Sequence, residues 1–220
     1  MSAENTRTEN ASPTPAEVWE EMVQGNERFV SGQPRHPRQD VERRHVLAAA
    51  QTPRAALFGC ADSRLAAEII FDQGLGDLFV VRNAGQVASD SAIASLEYAV
   101  VALNVPLIIV LAHDACGAVR AAIDSTALDS PELPPHIWRL IAKIVPAART
   151  VLRTSSGIDP RQLDAEDVGR AHLANTVDDI LASSRLIADA VAEGRLAIVG
   201  ANYRLNEGTA VPHVTVGLEA

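Results

Sequence analysis

Three side chains able to do chemistry close one apolar run of this chain. In Leu57-Phe58-Gly59-Cys60-Ala61-Asp62-Ser63-Arg64 a thiol, a carboxyl and a guanidinium fall at every second position. An extended backbone sends residues i, i+2 and i+4 the same way, so the spacing predicts that Cys60, Asp62 and Arg64 converge on one spot. A second apolar run, Ile108-Ile109-Val110-Leu111-Ala112, ends in His113-Asp114-Ala115-Cys116-Gly117, a His-x-x-Cys pair. The chain has only two cysteines, and each sits where an apolar run stops. Two thiolates, an imidazole and a carboxylate form a complete tetrahedral donor set for zinc, with Cys60, Asp62, His113 and Cys116 as candidate ligands.

The elements that must position these groups alternate apolar strand with amphipathic helix from Pro53 onward, the pattern of an α/β fold whose mostly parallel sheet carries helices on both faces. Buried strands are expected at 55–59, 78–81, 107–112 and 196–200. Helices are expected at 66–72, 91–103, 117–125, 137–153 and 164–193, with Gly194 closing the last. Val211, Val214 and Val216 suggest an edge strand, limited in its pairing by Pro212. In an open parallel sheet, function collects at the carboxyl ends of the strands, which is where Cys60, Arg82, Asn83 and His113 fall.

Before this core, Thr14-Pro15-Ala16-Glu17 reads as a capping box with proline at the first helical position. Val18, Trp19, Met22, Val23, Asn26, Phe29 and Val30 follow at helical spacing, a stripe broad enough to suggest a second subunit as its cover. Three regions result: a disordered tail at 1–13, an N-terminal helical arm at 14–50 and a zinc-binding catalytic domain at 51–220.

Composition narrows the function classes. With 220 residues, 47% of them hydrophobic, the chain can bury one substantial core. A formal net charge of −9 argues against nucleic acid as a partner. Apolar stretches broken by Asn104 and Pro106 are too short to span a membrane, and the polar start lacks the apolar segment of a secretory signal. A cytoplasmic location is the expectation, and there two cysteines serve as ligands more readily than as a disulfide.

Cys60-Ala-Asp-Ser-Arg64, Val81-Arg-Asn-Ala-Gly85 and His113-Asp-Ala-Cys-Gly117 together resemble the β-class carbonic anhydrase family, over about 19–203. The resemblance implies that one zinc ion per chain is ligated by Cys60, His113 and Cys116. Asp62 either takes the fourth position or, pulled aside by Arg64, leaves it open to water. It implies reversible hydration of carbon dioxide to bicarbonate and a proton, and a homodimer knit by the N-terminal helix, with tetramers as a higher assembly. Zinc lowers the pKa of bound water to about 7, and two thiolates should make that water less acidic, so activity is expected to rise with pH. Gln51 and Gly117 match substrate-binding positions of the family. Arg82 and Tyr203 match two members of an inhibitory bicarbonate pocket known in some bacterial relatives, but the tryptophan of that pocket is Leu57 here, which leaves Arg82 a supporting role. Gln86 also departs from the family pattern. His36, His45, His136, His172 and His213 read as ordinary surface residues. Two other functions fit the same motifs: hydrolysis of carbonyl sulfide or carbon disulfide on the same fold, and a non-catalytic binding protein that zinc stabilises.

Overall fold

A computed structural model describes residues 13–155 and 157–218, so the expected tail at 1–13 lies almost wholly outside the described residues. Its sheet holds β1 (Ala55–Cys60), β2 (Leu78–Asn83), β3 (Leu107–His113), β4 (Ala197–Tyr203) and β5 (Ala210–Val216) in the order β2-β1-β3-β4-β5. The first four are parallel and β5 runs antiparallel at the edge. Every residue of β1, β3 and β4 is buried, which explains why these strands read as unbroken apolar runs.

Successive side chains of each strand serve opposite faces. Leu57, Ile109, Leu111 and Val199 pack with residues of α1 (Pro15–Val30), α3 (Ala67–Ile70), α5 (Gly117–Asp124) and α7 (Val145–Thr154). Phe58, Ile108, Val110 and Ile198 pack with α4 (Asp90–Val101), α8 (Ala165–Ser183) and α9 (Arg185–Ala192). Two cores thus clamp one sheet, and the parallel strands bring Cys60, Asn83, His113 and Tyr203 to a common edge.

Two expected helices are each interrupted. In place of one helix at 137–153 there are α6 (Pro135–Ile141) and α7, because Pro146 in the first turn of α7 has no N–H to continue a preceding helix. In place of one at 164–193, the chain turns extended at Ser184, whose hydroxyl accepts from the Ile187 amide and starts α9. Pro212 is accommodated on the edge strand, where the β4–β5 register shifts between Gly200 and Ala201.

The capping box forms as expected: the Glu17 amide donates to Thr14 Oγ1 at 3.2 Å and the Thr14 amide to the Glu17 carboxylate at 2.8 Å. Part of the apolar stripe of α1 packs on the chain's own core, with Val18 and Met22 fully buried and Trp19 and Phe29 partly buried against it. Asn26 locks this packing by donating to the carbonyls of Ile70 and Gly208 and accepting from the Ala210 amide. A Cβ at Gly25 would lie 1.9 Å from the Phe71 carbonyl oxygen, so only glycine allows α1 to come so close. The rest of the arm, including α2 (Val41–Leu47), leaves Val30, Val41 and Val46 exposed.

Asp72 pins the chain after α1. Its side chain is 1% exposed and receives Arg28 Nε at 2.6 Å together with the amides of Arg35 and His36. Burial alone would raise its pKa, but these donors outweigh burial and hold it below the usual carboxylate range. A lowered folded-state pKa stabilises above the unfolded value of about 4 and loses that stabilisation as pH falls through the folded value. Asp72→Asn, which keeps a residue type tolerant of the local φ of +45°, is expected to cost about 1.5–3 kcal/mol near neutral pH. Denaturant melts at about pH 7 and about pH 3 should show the gap between variant and parent narrowing in acid.

Candidate metal centre

β1 and β3 are hydrogen-bonded neighbours, so their last residues, Cys60 and His113, end up side by side. After His113 the chain reverses through Ala115 at φ +49°, which turns Cys116 back beneath the strand ends as the residue that caps α5. The candidate ligand atoms of Cys60, His113 and Cys116 all lie within 4.8 Å of one another. All three side chains are buried.

The imidazole is oriented by its neighbour. His113 Nδ1–H donates to the Asp114 carbonyl at 2.8 Å, which leaves the Nε2 lone pair as the ligand atom. Nε2 is buried without a hydrogen-bond partner among the described residues. A buried acceptor that no protein group satisfies, facing two thiols, fits a thiophilic cation, and the soft S2N set fits zinc. The sulfurs are themselves prepared for one. The neighbouring Cys116 thiol holds the Cys60 pKa well below the ordinary thiol range against the effect of burial, aided by the amides of Gly85 and Asp62. The neighbouring Cys60 sulfur and burial push Cys116 the other way, and a cation binding both sulfurs would displace thiol protons.

Asp62 and Arg64 reach the site by a different route from the extended one expected. The Leu65 amide donates to the Asp62 carbonyl at 3.1 Å, closing a turn over 62–65. Within it the Arg64 amide donates to Asp62 Oδ1 at 3.0 Å. The guanidinium folds back in a fork, with Nε on Oδ1 at 2.8 Å and Nη2 on Oδ2 at 2.7 Å. Asp62 Oδ2 stands 4.0 Å from His113 Nε2, so the carboxylate borders the ligand cluster while engaged by Arg64. Hydrogen bonding from Arg64 holds its pKa far below the usual range, outweighing partial burial.

The remaining expected residues divide. Arg82 donates Nε to the Cys60 carbonyl at 2.9 Å and Nη2 to the Asp62 carbonyl, bracing the backbone of the motif. Tyr203 ends β4 in register with His113, 5% exposed, and its carbonyl accepts from the Asp114 amide. Gly117 begins α5, and a Cβ there would meet nothing within 4 Å, so open space adjoins the ligands at this point. Gln51 is exposed ahead of β1, whose other end carries Cys60; six strand residues rise about 16 Å, so it does not join this chain's own site.

Two contributors were not apparent from the sequence. Gly85 had no role there beyond its place in a motif, yet its amide donates to Cys60 Sγ at 3.3 Å. His172, expected at the surface, is buried on α8 against the same loop, whereas His36, His45, His136 and His213 are exposed as expected. The signal for His172 lay in its helical spacing to Val168, Thr176 and Ile180, all of them buried.

Comparison with known proteins identifies a family. A family model described as carbonic anhydrase matches residues 55–210. Carbonic anhydrase 2 of Mycobacterium tuberculosis is 46% identical over 204 residues, covering 92% of this chain and 95% of that protein. A carbonic anhydrase of Mycolicibacterium smegmatis is 45% identical over 195 residues, covering 88% and 91%. Among solved structures, the β-carbonic anhydrase CcaA is similar with a TM-score of 0.68 at 26% identity, covering 90% of this chain and 98% of that one. Among the described residues no helix is long and apolar enough to cross a membrane.

Proposed function

The chain belongs to the β-carbonic anhydrase family and catalyses the reversible hydration of carbon dioxide to bicarbonate and a proton, and from that premise we propose that it works with one zinc ion held by Cys60, His113 and Cys116. The observation that carries the metal is the unpartnered Nε2 of His113 gathered with two buried thiols. Zinc in such a site acts as a Lewis acid that makes water a nucleophile near neutral pH.

The chain's own groups do the rest. Arg64 grips both oxygens of Asp62 and keeps the carboxylate ionised and aimed at the edge of the ligand cluster. Oδ2 there accepts a hydrogen bond from the attacking water and turns its lone pair toward the carbon of the substrate. The opening at Gly117 gives a small linear molecule room beside the ligands, with the Gly117 amide as a donor to one of its oxygens. Arg82 has a supporting role: its guanidinium is engaged on the carbonyls that frame the motif, and Leu57 stands where an anion pocket would need an aromatic wall. Tyr203 supports the His113 turn through its backbone.

A homodimer in the cytoplasm completes the proposal, with assembly to a tetramer as its extension. It is supported by the open edge of β2, whose flank exposes Tyr98 and Val101, and by the distance of Gln51 from its own site, since a substrate contact by Gln51 requires a second copy. Carbon dioxide and bicarbonate are the proposed small-molecule partners.

The test is stopped-flow hydration of carbon dioxide from about pH 6.5 to about pH 9 on metal-quantified protein. The rate should rise with pH. Two anionic sulfurs disfavour loss of a proton beside them and raise the pKa of the acid whose base form attacks, so that form accumulates only as pH climbs. Asp62 is already ionised across this range and does not produce the rise. Inactivity at every pH with zinc fully present would overturn the reading, as would full activity of zinc-free protein.

A further inference from the structure

The loop after β2 is strained and braced from every side. Gly85 lies at φ +79° and Gln86, not a glycine, at φ +40°. A Cβ on Gly85 would sit 2.8 Å from Ala118 Cβ and 2.9 Å from Ile144 Cδ1. Asn83 ties the loop shut with two 2.8 Å bonds to the backbone of Val87. A left-handed non-glycine residue persists only where its surroundings hold it, and here the loop presents its Gly85 amide to Cys60 Sγ.

The brace from the far side is His172. Its Nε2 lies 2.8 Å from the Gly85 carbonyl, while Thr176, one turn on, reaches the Gln86 carbonyl at 3.5 Å. A carbonyl can only accept, so Nε2 carries the proton and donates. Nδ1 is then a bare acceptor, buried and without a partner among the described residues. Burial lowers the His172 pKa more than the Gly85 carbonyl raises it, so the ring stays neutral. An apolar residue of similar volume would remove the unsatisfied nitrogen but would orphan the buried Gly85 carbonyl.

We propose that His172 is a positioning residue for the metal centre: through the Gly85 carbonyl it holds the Gly85 amide on Cys60 Sγ and so sets the donor strength of that thiolate. The proposal rests on the zinc reading above. Groups that orient metal ligands are worth about 10–100-fold in metal affinity, and a residue acting through one intervening loop belongs at the lower end.

The test compares full-length wild type with His172→Phe, which keeps the ring and removes the donor, and His172→Gln, whose amide places an N–H near the Nε2 position. In the cobalt-substituted chain the thiolate-to-metal charge-transfer band reports hydrogen bonding to sulfur. His172→Phe should shift that band and lower zinc affinity against a competing chelator by about tenfold, whereas His172→Gln should restore both. In wild-type protein, nitrogen chemical shifts of His172 should show the neutral ring protonated at Nε2, a measurement that stands even if the Phe variant does not fold. Protonation at Nδ1 overturns the proposal. So does a His172→Phe variant that matches wild type in band and affinity. Wild-type protein that takes up neither metal overturns the zinc reading, and this proposal with it.

Discussion

His113→Ala is expected to reduce carbon dioxide hydration to the uncatalysed background and zinc content from about one ion per chain to near zero. Two thiols remain in that variant, but a tetrahedral site that also keeps a position open for reaction has no ligand to spare. The imidazole supplies the only nitrogen in the cluster, oriented by its Nδ1–H bond to the Asp114 carbonyl, and nothing else among the described residues takes up its Nε2. Metal analysis of the purified variant, stopped-flow assay and circular dichroism separate loss of zinc from loss of fold. His113 is buried at the end of β3, so some stability will go with it, and a folded, metal-poor, inactive protein is the expected result. A folded variant that keeps both zinc and rate would remove His113 from the ligand set.

Asp62→Asn is expected to do the opposite to the metal and nearly the same to the rate: zinc retained, turnover lowered by about 10²–10⁴-fold. The carboxylate lies outside the three-residue cluster and is held by Arg64, so its removal leaves the donor set intact. What is lost is an anionic acceptor at the edge of the site, replaced by an amide that can present an N–H in its place. Arg64→Lys should cost less, about tenfold, because a point charge still attracts Asp62 but cannot fix both oxygens. The double variant should be little slower than Asp62→Asn alone, since two residues acting as one unit are not additive. Fully additive losses would mean that Arg64 acts on the reaction independently of Asp62.

The division between what could be read from the residue order and what could not follows the range of the forces involved. Strand identity was legible because β1, β3 and β4 are buried on both faces, and burial on both faces leaves unbroken apolar runs that need no partner to recognise. The helix start at Thr14 was legible because a capping box is satisfied within four residues. Ligand chemistry was legible because cysteine and histidine stood at strand ends, where a parallel sheet places its function. Helix continuity was less so: the breaks at Pro146 and Ser184 are local in cause, but the apolar spacing runs across both.

Contacts between distant segments depended on the tertiary structure. How closely α1 seats on the chain's own core was set by Asn26 and the close approach at Gly25, which the apolar stripe alone does not reveal. Asp62 and Arg64 do meet, but through a turn at 62–65 rather than an extended strand end, a choice made by the carboxylate's own bond to the Arg64 amide. The spacing of His172 to Val168, Thr176 and Ile180 marked a buried face, but nothing in α8 says that a strained loop 87 residues away will present it a carbonyl. Sequence by itself determined the sheet, its two covered faces and the zinc-binding residue types, all set by local burial pattern and intrinsic chemistry. Only the tertiary structure decided which groups orient those residues, because a hydrogen bond across the fold depends on where two distant backbones finally lie.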